Sequence, residues 1–289
     1  MQIRLAPVRM VMLLIAITLT AGCNRIDLAY RNLDFLIPWS LNDYLDLSRD
    51  QQKRFRSQLQ HHLGWHCRTQ LPQYLDRVER LEQQIRSDRI DEAALREHYE
   101  QARQAIQIIA VQITPSATRL LHDLNDQQVS ELKKGLEKDR REHSEKYLEP
   151  PLSQQIDARA ERAIKRVEHW LGSSGNMQRE RIRDWARTLA EQNRYWLANR
   201  AQWQRALSDA LDNRNEPGFE TRIATLLQDR ESLWTDDYRA AFARAEQATV
   251  DLLLSPYKLS DDTQRRYLAE QFKTLRSDLG SLACLSEED

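Results

Sequence analysis

Glycine and proline are scarce in this chain, with 7 glycines and 8 prolines among 289 residues. A sheet needs a turn about every 8–12 residues, and those turns draw on glycine, proline and asparagine. So sparse a supply excludes an all-β fold and predicts an all-α one. Three cysteines are too few for a disulfide-dense scaffold. Neither sign of charge dominates: 43 basic and 44 acidic residues are interspersed, without the basic stripe that a nucleic-acid partner needs. No uninterrupted apolar run reaches the ~20 residues of a comfortable membrane span. Templates for catalysis are also missing. There is no glycine-rich phosphate loop, no H-E-x-x-H, no C-x-x-C and no G-x-S-x-G, so nothing argues for an enzyme, a cofactor or a small-molecule substrate.

What is present is helical periodicity. Phe55, Leu59 and Leu63 share one face, and Pro72 opens a helix carrying Leu75, Val78, Leu81 and Ile85. Leu95, Tyr99, Ala102, Ile106, Ile109 and Ile113 alternate in steps of four and three, the spacing of a heptad face, which Pro115 is expected to interrupt. Pro150-Pro151 forces a break and marks a candidate seam between two lobes near 149–152. One long helix is expected over 177–214, with an inner stripe of Ile182, Trp185, Leu189, Asn193, Trp196, Arg200, Trp203 and Leu207. Short connections imply antiparallel neighbours, hence a bundle of about eight to ten helices over residues 47–289.

Three segments open helices in the same way: Leu47-Ser48 to Gln51, Leu124-Asn125 to Gln128, and Leu259-Ser260 to Thr263 and Gln264. In the first two a short polar side chain caps the backbone, and the glutamine three places on reaches back to the cap residue. The third, read from Ser260, places Thr263 where the glutamine should be and is expected to be imperfect.

Three sets of residues are candidates for a site. Trp65-His66-Cys67-Arg68, followed by Leu71-Pro72 and Tyr74, is the densest polar-aromatic cluster in the sequence, and Trp39, Asp43, Tyr44, Trp65, His66, Arg68, Pro72 and Tyr74 are the candidate interaction cluster. His62 and His66 lie one turn apart with Cys67 adjacent, yet Cys67 points about 100° away from His66 and further ligands are wanting. Hydrogen bonding of these histidines at helix ends is therefore preferred to a metal. Trp185, Asn193, Trp196, Arg200 and Trp203 read either as core or as the wall of a groove. Asn193 and Arg200 are the polar exceptions, and Arg200 is expected to pair with an acid on a neighbouring helix.

The N-terminus resembles that of bacterial lipoproteins. Arg4 and Arg9 precede the apolar run Val11 to Leu19, and Leu19-Thr20-Ala21-Gly22-Cys23 ends in cysteine, with Thr20 where leucine is most usual. The resemblance implies a signal peptide over 1–22, cleavage before Cys23 and acylation of that residue. A cleaved soluble form and an uncleaved anchor are the alternatives. In that family an aspartate after the cysteine favours inner-membrane retention. Asn24 therefore implies the outer membrane, with the body on the periplasmic side. Residues 23–46 are too apolar for a loose tether and are expected to dock on the body. Removing Arg4 and Arg9 leaves 41 basic against 44 acidic residues, a net charge of −3. Cys67 and Cys284 then form an even pair, either bridged or present as two buried thiols.

Trp39, Asp43-Tyr44, Asp46-Leu47, Gln51, Trp65-His66 and Leu71-Pro72-x-Tyr74 resemble an uncharacterised family of proteobacterial lipoproteins, in which Cys67 stands where arginine is expected. That resemblance implies an envelope location and a helical fold, and no activity. The Leu-Ser/Thr-x-x-Gln openings are also similar to those of small periplasmic chaperones, helical dimers that bind unfolded clients. The expectation is a non-enzymatic lipoprotein held in the membrane by acyl chains on Cys23 and binding an envelope protein through a helical groove. A scaffolding lipoprotein is the first alternative, and a hydrolase built on His66 the second.

Overall fold

A computed structural model describes Tyr30 and residues 32–282; the expected signal segment, Cys23 and Cys284 lie outside the described residues. Within them the chain forms eleven α-helices and no strand. These are α1 (Leu33–Leu41), α2 (Arg49–Thr69), α3 (Leu71–Arg86), α4 (Glu92–His122), α5 (Asp126–Tyr147), α6 (Leu152–Leu171), α7 (Asn176–Thr188), α8 (Gln192–Asp212), α9 (Phe219–Gln228), α10 (Asp236–Lys258) and α11 (Asp262–Gly280), with a 3-10 turn at Arg230–Leu233. The count exceeds the expected eight to ten for two reasons. The apolar linker carries a helix of its own at Leu33–Leu41, and the long helix expected over 177–214 is two.

The second difference has a clear cause. Ala190 adopts φ +38° between α7 and α8, so the ladder stops there. The last carbonyls of α7 need donors from elsewhere. Arg159, buried on α6, supplies them, with Nη1 donating to Ala186 O at 2.9 Å and to Ala190 O at 3.2 Å. Pro115 errs in the opposite direction, since α4 runs through it for 31 residues, about 46 Å. The hydroxyls of Thr114 and Ser116 bond the carbonyls of Ala110 and Ile113 and bracket the bond that Pro115 cannot make. The heptad face of α4 is only half-buried, and Ala102 is exposed; its buried positions are instead Ala105, Thr114 and Thr118.

The capping boxes prove to be tertiary locks as well as helix starts. Ser48–Gln51 and Asn125–Gln128 are both complete. The two glutamine amides also bond each other reciprocally, at 3.2 and 2.8 Å. Each then donates to a carbonyl just before the other's helix, Gln51 to Asp123 O and Gln128 to Asp46 O. The third opening starts one residue later than expected. Asp261 is the cap and Gln264 closes a complete box. Its partner is a fourth glutamine, Gln178, which reaches back to Gly175 N and exchanges 3.1 Å bonds with Gln264. Gln178 and Gln264 in turn donate to Pro256 O and Ser173 O. The same device is thus used twice, once in each half of the chain.

Each lock sits beside a core. The larger gathers Tyr44, Leu45 and Leu47 with Leu124, Val129, Leu132, Leu207, Leu211, Phe219, Ile223 and Leu226. Full burial of a side chain such as Leu211 or Ile223 stabilises by about 1.5–3 kcal/mol. The second joins Ile85, Leu171, Tyr257, Leu268 and Ala269. Both draw on chain before and after Pro150-Pro151, so that dipeptide is a break between α5 and α6 and does not separate the two cores. Between them α8 packs on α5, α9 and α10, while α4 packs on α2, α9 and α10.

Gly135, inside α5, is where the 43–44 segment crosses closest. A Cβ there would meet Tyr44 Cδ1 at 3.0 Å and Tyr44 Cα at 3.5 Å. Gly135→Val is therefore expected to lose about 1–3 kcal/mol in urea denaturation through overpacking. A variant as stable as the parent would show that Tyr44 is free to move.

Candidate functional site

The three sequence-level sets do not assemble into one place. In the first, Tyr44 is buried in the larger core while Asp43 is exposed. Trp39 sits on α1, 42% exposed. Trp65, His66, Arg68, Pro72 and Tyr74 lie together at the α2–α3 elbow, where exposed Pro72 starts α3 and exposed Arg68 covers Gly64. His66 Nδ1 lies 3.0 Å from the Tyr30 hydroxyl, and its ring is flanked by Trp65 and Tyr74. Burial lowers the His66 pKa and pushes Tyr30 up to about 12, so the bonded pair is neutral at pH 7. His62 turns away to Ser116 Oγ, at 2.6 Å. Among the described residues no three His, Cys, Asp or Glu side chains converge on a metal position.

Beside this elbow Cys67 is disulfide-bonded. It packs at 1% exposure with Leu71 and Leu282, and Tyr30 and Tyr74 flank the cluster. Leu282 stands two residues before Cys284.

Of the third set, Trp185 is cut off by the break at Ala190. It packs on α7 against the cluster of Ala163, Ile164 and Ile182. Asn193 is a structural strut: its amide nitrogen donates to Tyr147 O and Gln155 Oε1, each at 3.0 Å, and its oxygen accepts from Arg159. Arg200 finds its acid in Asp139 on α5, 3% exposed. Arg200 Nε donates to Asp139 Oδ2 at 3.2 Å and Nη2 makes a second bond to the same oxygen. Gln204 Nε2 adds a third at 3.2 Å, and the Tyr44 hydroxyl donates to Oδ1 at 3.4 Å. His143 Nδ1 lies 2.7 Å from the Asp139 carbonyl, which can only accept, so this nitrogen carries a proton.

Trp196, Arg200 and Trp203 line a groove. The cavity holds about 660 Å³ and is walled by α4 (Tyr99, Arg103, Ile106), α8, the 3-10 turn (Arg230, Glu231, Leu233) and the start of α10 (Trp234, Tyr238, Phe242). Local chemistry fixes its rim. Thr235 caps α10 by accepting from Tyr238 N, and Asp236 and Asp237 suit the positive end of the helix dipole. Trp234 packs on Tyr238 and Phe242, with ring centroids 5.1 and 4.6 Å away. Trp203 Nε1 donates to Leu226 O at 2.9 Å, which points the N–H edge of the indole at the end of α9. Arg103 ties the facing wall by bonding Glu231 and lying 3.5 Å from Glu100. The Asn199 Oδ1 in the lining is buried with no hydrogen-bond partner.

Aromatic faces and guanidinium planes suit capture of apolar and aromatic side chains. Both carboxylates in the lining, Glu100 and Glu231, are engaged by Arg103. The Trp234, Tyr238 and Phe242 wall was missed in the sequence, although its i, i+4, i+8 spacing was legible.

A family model described as a family of unknown function, DUF6279, matches residues 43–239. No curated protein and no solved structure matches the chain.

Proposed function

The chain belongs to DUF6279, a family of unknown function, and within it we propose a non-enzymatic lipoprotein of the outer membrane, anchored through Cys23 on the periplasmic side, that binds an envelope protein. The aromatic groove between α4, α8 and α10 carries this reading. A cavity of about 660 Å³ takes a few side chains and not a folded domain. The bound element is therefore a segment bearing aromatic or aliphatic residues. Tryptophan, tyrosine and arginine are the residue types that dominate binding energy where proteins meet. The resemblance of the capping boxes to those of periplasmic chaperones agrees with such a client, although the boxes themselves work as locks within this fold. The reading is independent of His66, whose described partners are a tyrosine hydroxyl and two aromatic rings.

We also propose that the partner of Cys67 is Cys284. Of the other two cysteines Cys23 is the acylated one in this reading, and Leu282 already lies against Cys67.

The test is suppression of client aggregation. Near-stoichiometric protein is expected to hold a reduced, unfolded client in solution. Trp234→Ala and Tyr238→Ala, both at a half-buried rim, are each expected to weaken the effect about tenfold, the ~1.4 kcal/mol of one modest hot spot. Absence of any effect across several clients would overturn the proposal.

A further inference from the structure

We infer that α1 and the adjoining face of α2 form a lipid-contacting surface that seats the body on the monolayer holding the Cys23 acyl chains. The inference rests on the lipoprotein reading for its tether, and on separate observations for its surface. Helix α1, LDFLIPWSL, packs on α2 and buries Leu33 and Ser40. It leaves Phe35 64% and Trp39 42% exposed, and Phe35 is among the most exposed large apolar side chains described. The uncovered side carries Phe35 and Trp39 beside Asp34, and packing on α2 does not account for those two apolar side chains.

A cavity of about 660 Å³ opens alongside, between α2 and α4, with Ile37 of α1 at its edge and Phe55, Leu59, Ile113 and Leu120 within. Leu59 also lines the smaller pocket that holds Phe35 and Trp39, so the two depressions share a wall. Lys53, Arg54 and Arg119 stand around the larger mouth and Arg56 at the smaller one, with Asp50, Asp123 and Asp34 between them. Both signs of charge border these apolar depressions, with Arg54 3.5 Å from Asp123, which suits zwitterionic headgroups above acyl chains. Tryptophan is the residue most at home at that depth.

Chain length selects the occupant. Leu33 lies ten positions after Cys23, and fully extended chain covers at most ~3.5 Å per residue. Helix α1 thus begins within about 35 Å of the acylated sulfur, and less when the segment is not extended. A nine-residue helix is about 14 Å long and cannot cross a bilayer, and no described helix is long and apolar enough to do so. It lies along the surface. Because the acyl chains already hold the protein, Phe35 and Trp39 set orientation, not the strength of attachment.

The experiment uses full-length protein purified from membranes and reconstituted in phosphatidylethanolamine–phosphatidylglycerol vesicles with brominated acyl chains. Intact mass reports acylation of Cys23 separately. Tryptophan emission is expected to be quenched, Trp39→Phe to lose most of that quenching, and Trp234→Phe to retain it. Phe35→Ser is expected to reduce the quenching of Trp39 while leaving the helical circular dichroism unchanged. Acylated protein whose quenching is absent, or unaffected by Trp39→Phe, would overturn the surface and leave the anchor standing. Unmodified Cys23 would overturn the tether, and with it the argument that selects a lipid.

Discussion

Replacing Asp139 by alanine is expected to cost about 3–5 kcal/mol of folding stability, the loss typical of leaving a buried charge without its partner. Arg200 is only 10% exposed and directs two bonds at Asp139 Oδ2. Without the carboxylate its guanidinium stays desolvated, while Gln204 and Tyr44 lose an acceptor as well. The double variant Asp139→Asn, Arg200→Met is expected to recover a large part of the loss, since no unpaired charge remains. Chemical denaturation of the single and double variants measures both. A single variant within about 1 kcal/mol of the parent would show that the network is dispensable. The pH dependence has a definite sign. Burial opposes ionisation of Asp139, but hydrogen bonds from His143 and Arg200, with the Arg200 charge, outweigh it and hold the carboxyl below its ordinary value. A carboxyl depressed in the folded state stabilises the protein above its unfolded pKa, about 3.9, and that contribution disappears as pH falls through the lower folded value. The parent should therefore lose stability below about pH 4 more steeply than Asp139→Asn.

The second large effect belongs to the proposed Cys67–Cys284 bridge. It closes a loop of more than 200 residues, and on the chain-entropy account such a loop is worth about 5 kcal/mol through the unfolded state. Cys284→Ser is expected to lower the urea midpoint of oxidised protein and to leave that of reduced protein unchanged. Peptide mapping without reductant is expected to recover Cys67 joined to Cys284. Recovery of Cys67 joined to Cys23 would overturn both this pairing and the acyl anchor in the molecules so linked. The bridge would staple the last helix to the α2–α3 elbow, where Tyr30 also docks. The two ends of the folded body would then be held at the same corner.

Sequence periodicity reached the helical class and most helix starts because those depend on contacts three or four residues apart. Ser48 and Gln51 can be paired by eye, and so can Asn125 and Gln128. That Gln51 then grips Gln128 could not be read, since 77 residues of chain separate them. Arg200 drew attention as a charge in an apolar stripe and called for an acid; only packing of α8 on α5 identified it as Asp139, 61 residues away. The break at Ala190 was invisible for a related reason, because Leu189 to Glu191 carries no glycine or proline. The helix breaks at Ala190, with φ +38°, and an arginine reaching over from α6 satisfies the carbonyls left there. Pro115 misled in the other direction, as neighbouring hydroxyls and flanking helices keep α4 intact across it.

For the candidate site, the stripe of Trp196, Arg200 and Trp203 was visible and its opposite wall was not. Trp185 and Asn193 share the stripe's periodicity and still point to other work, because a helical face is continuous only while the helix is. Composition and local spacing by themselves determined that this chain is built of helices, where most of them begin, and which N-terminal cysteine resembles a lipid anchor. Each of these follows from residues close in the chain. Tertiary structure alone decided which aromatic faces stay open as a groove, which glutamines lock helix to helix, and which side of α1 is left bare. Those outcomes depend on what a distant segment covers, and covering is a property of the packed chain.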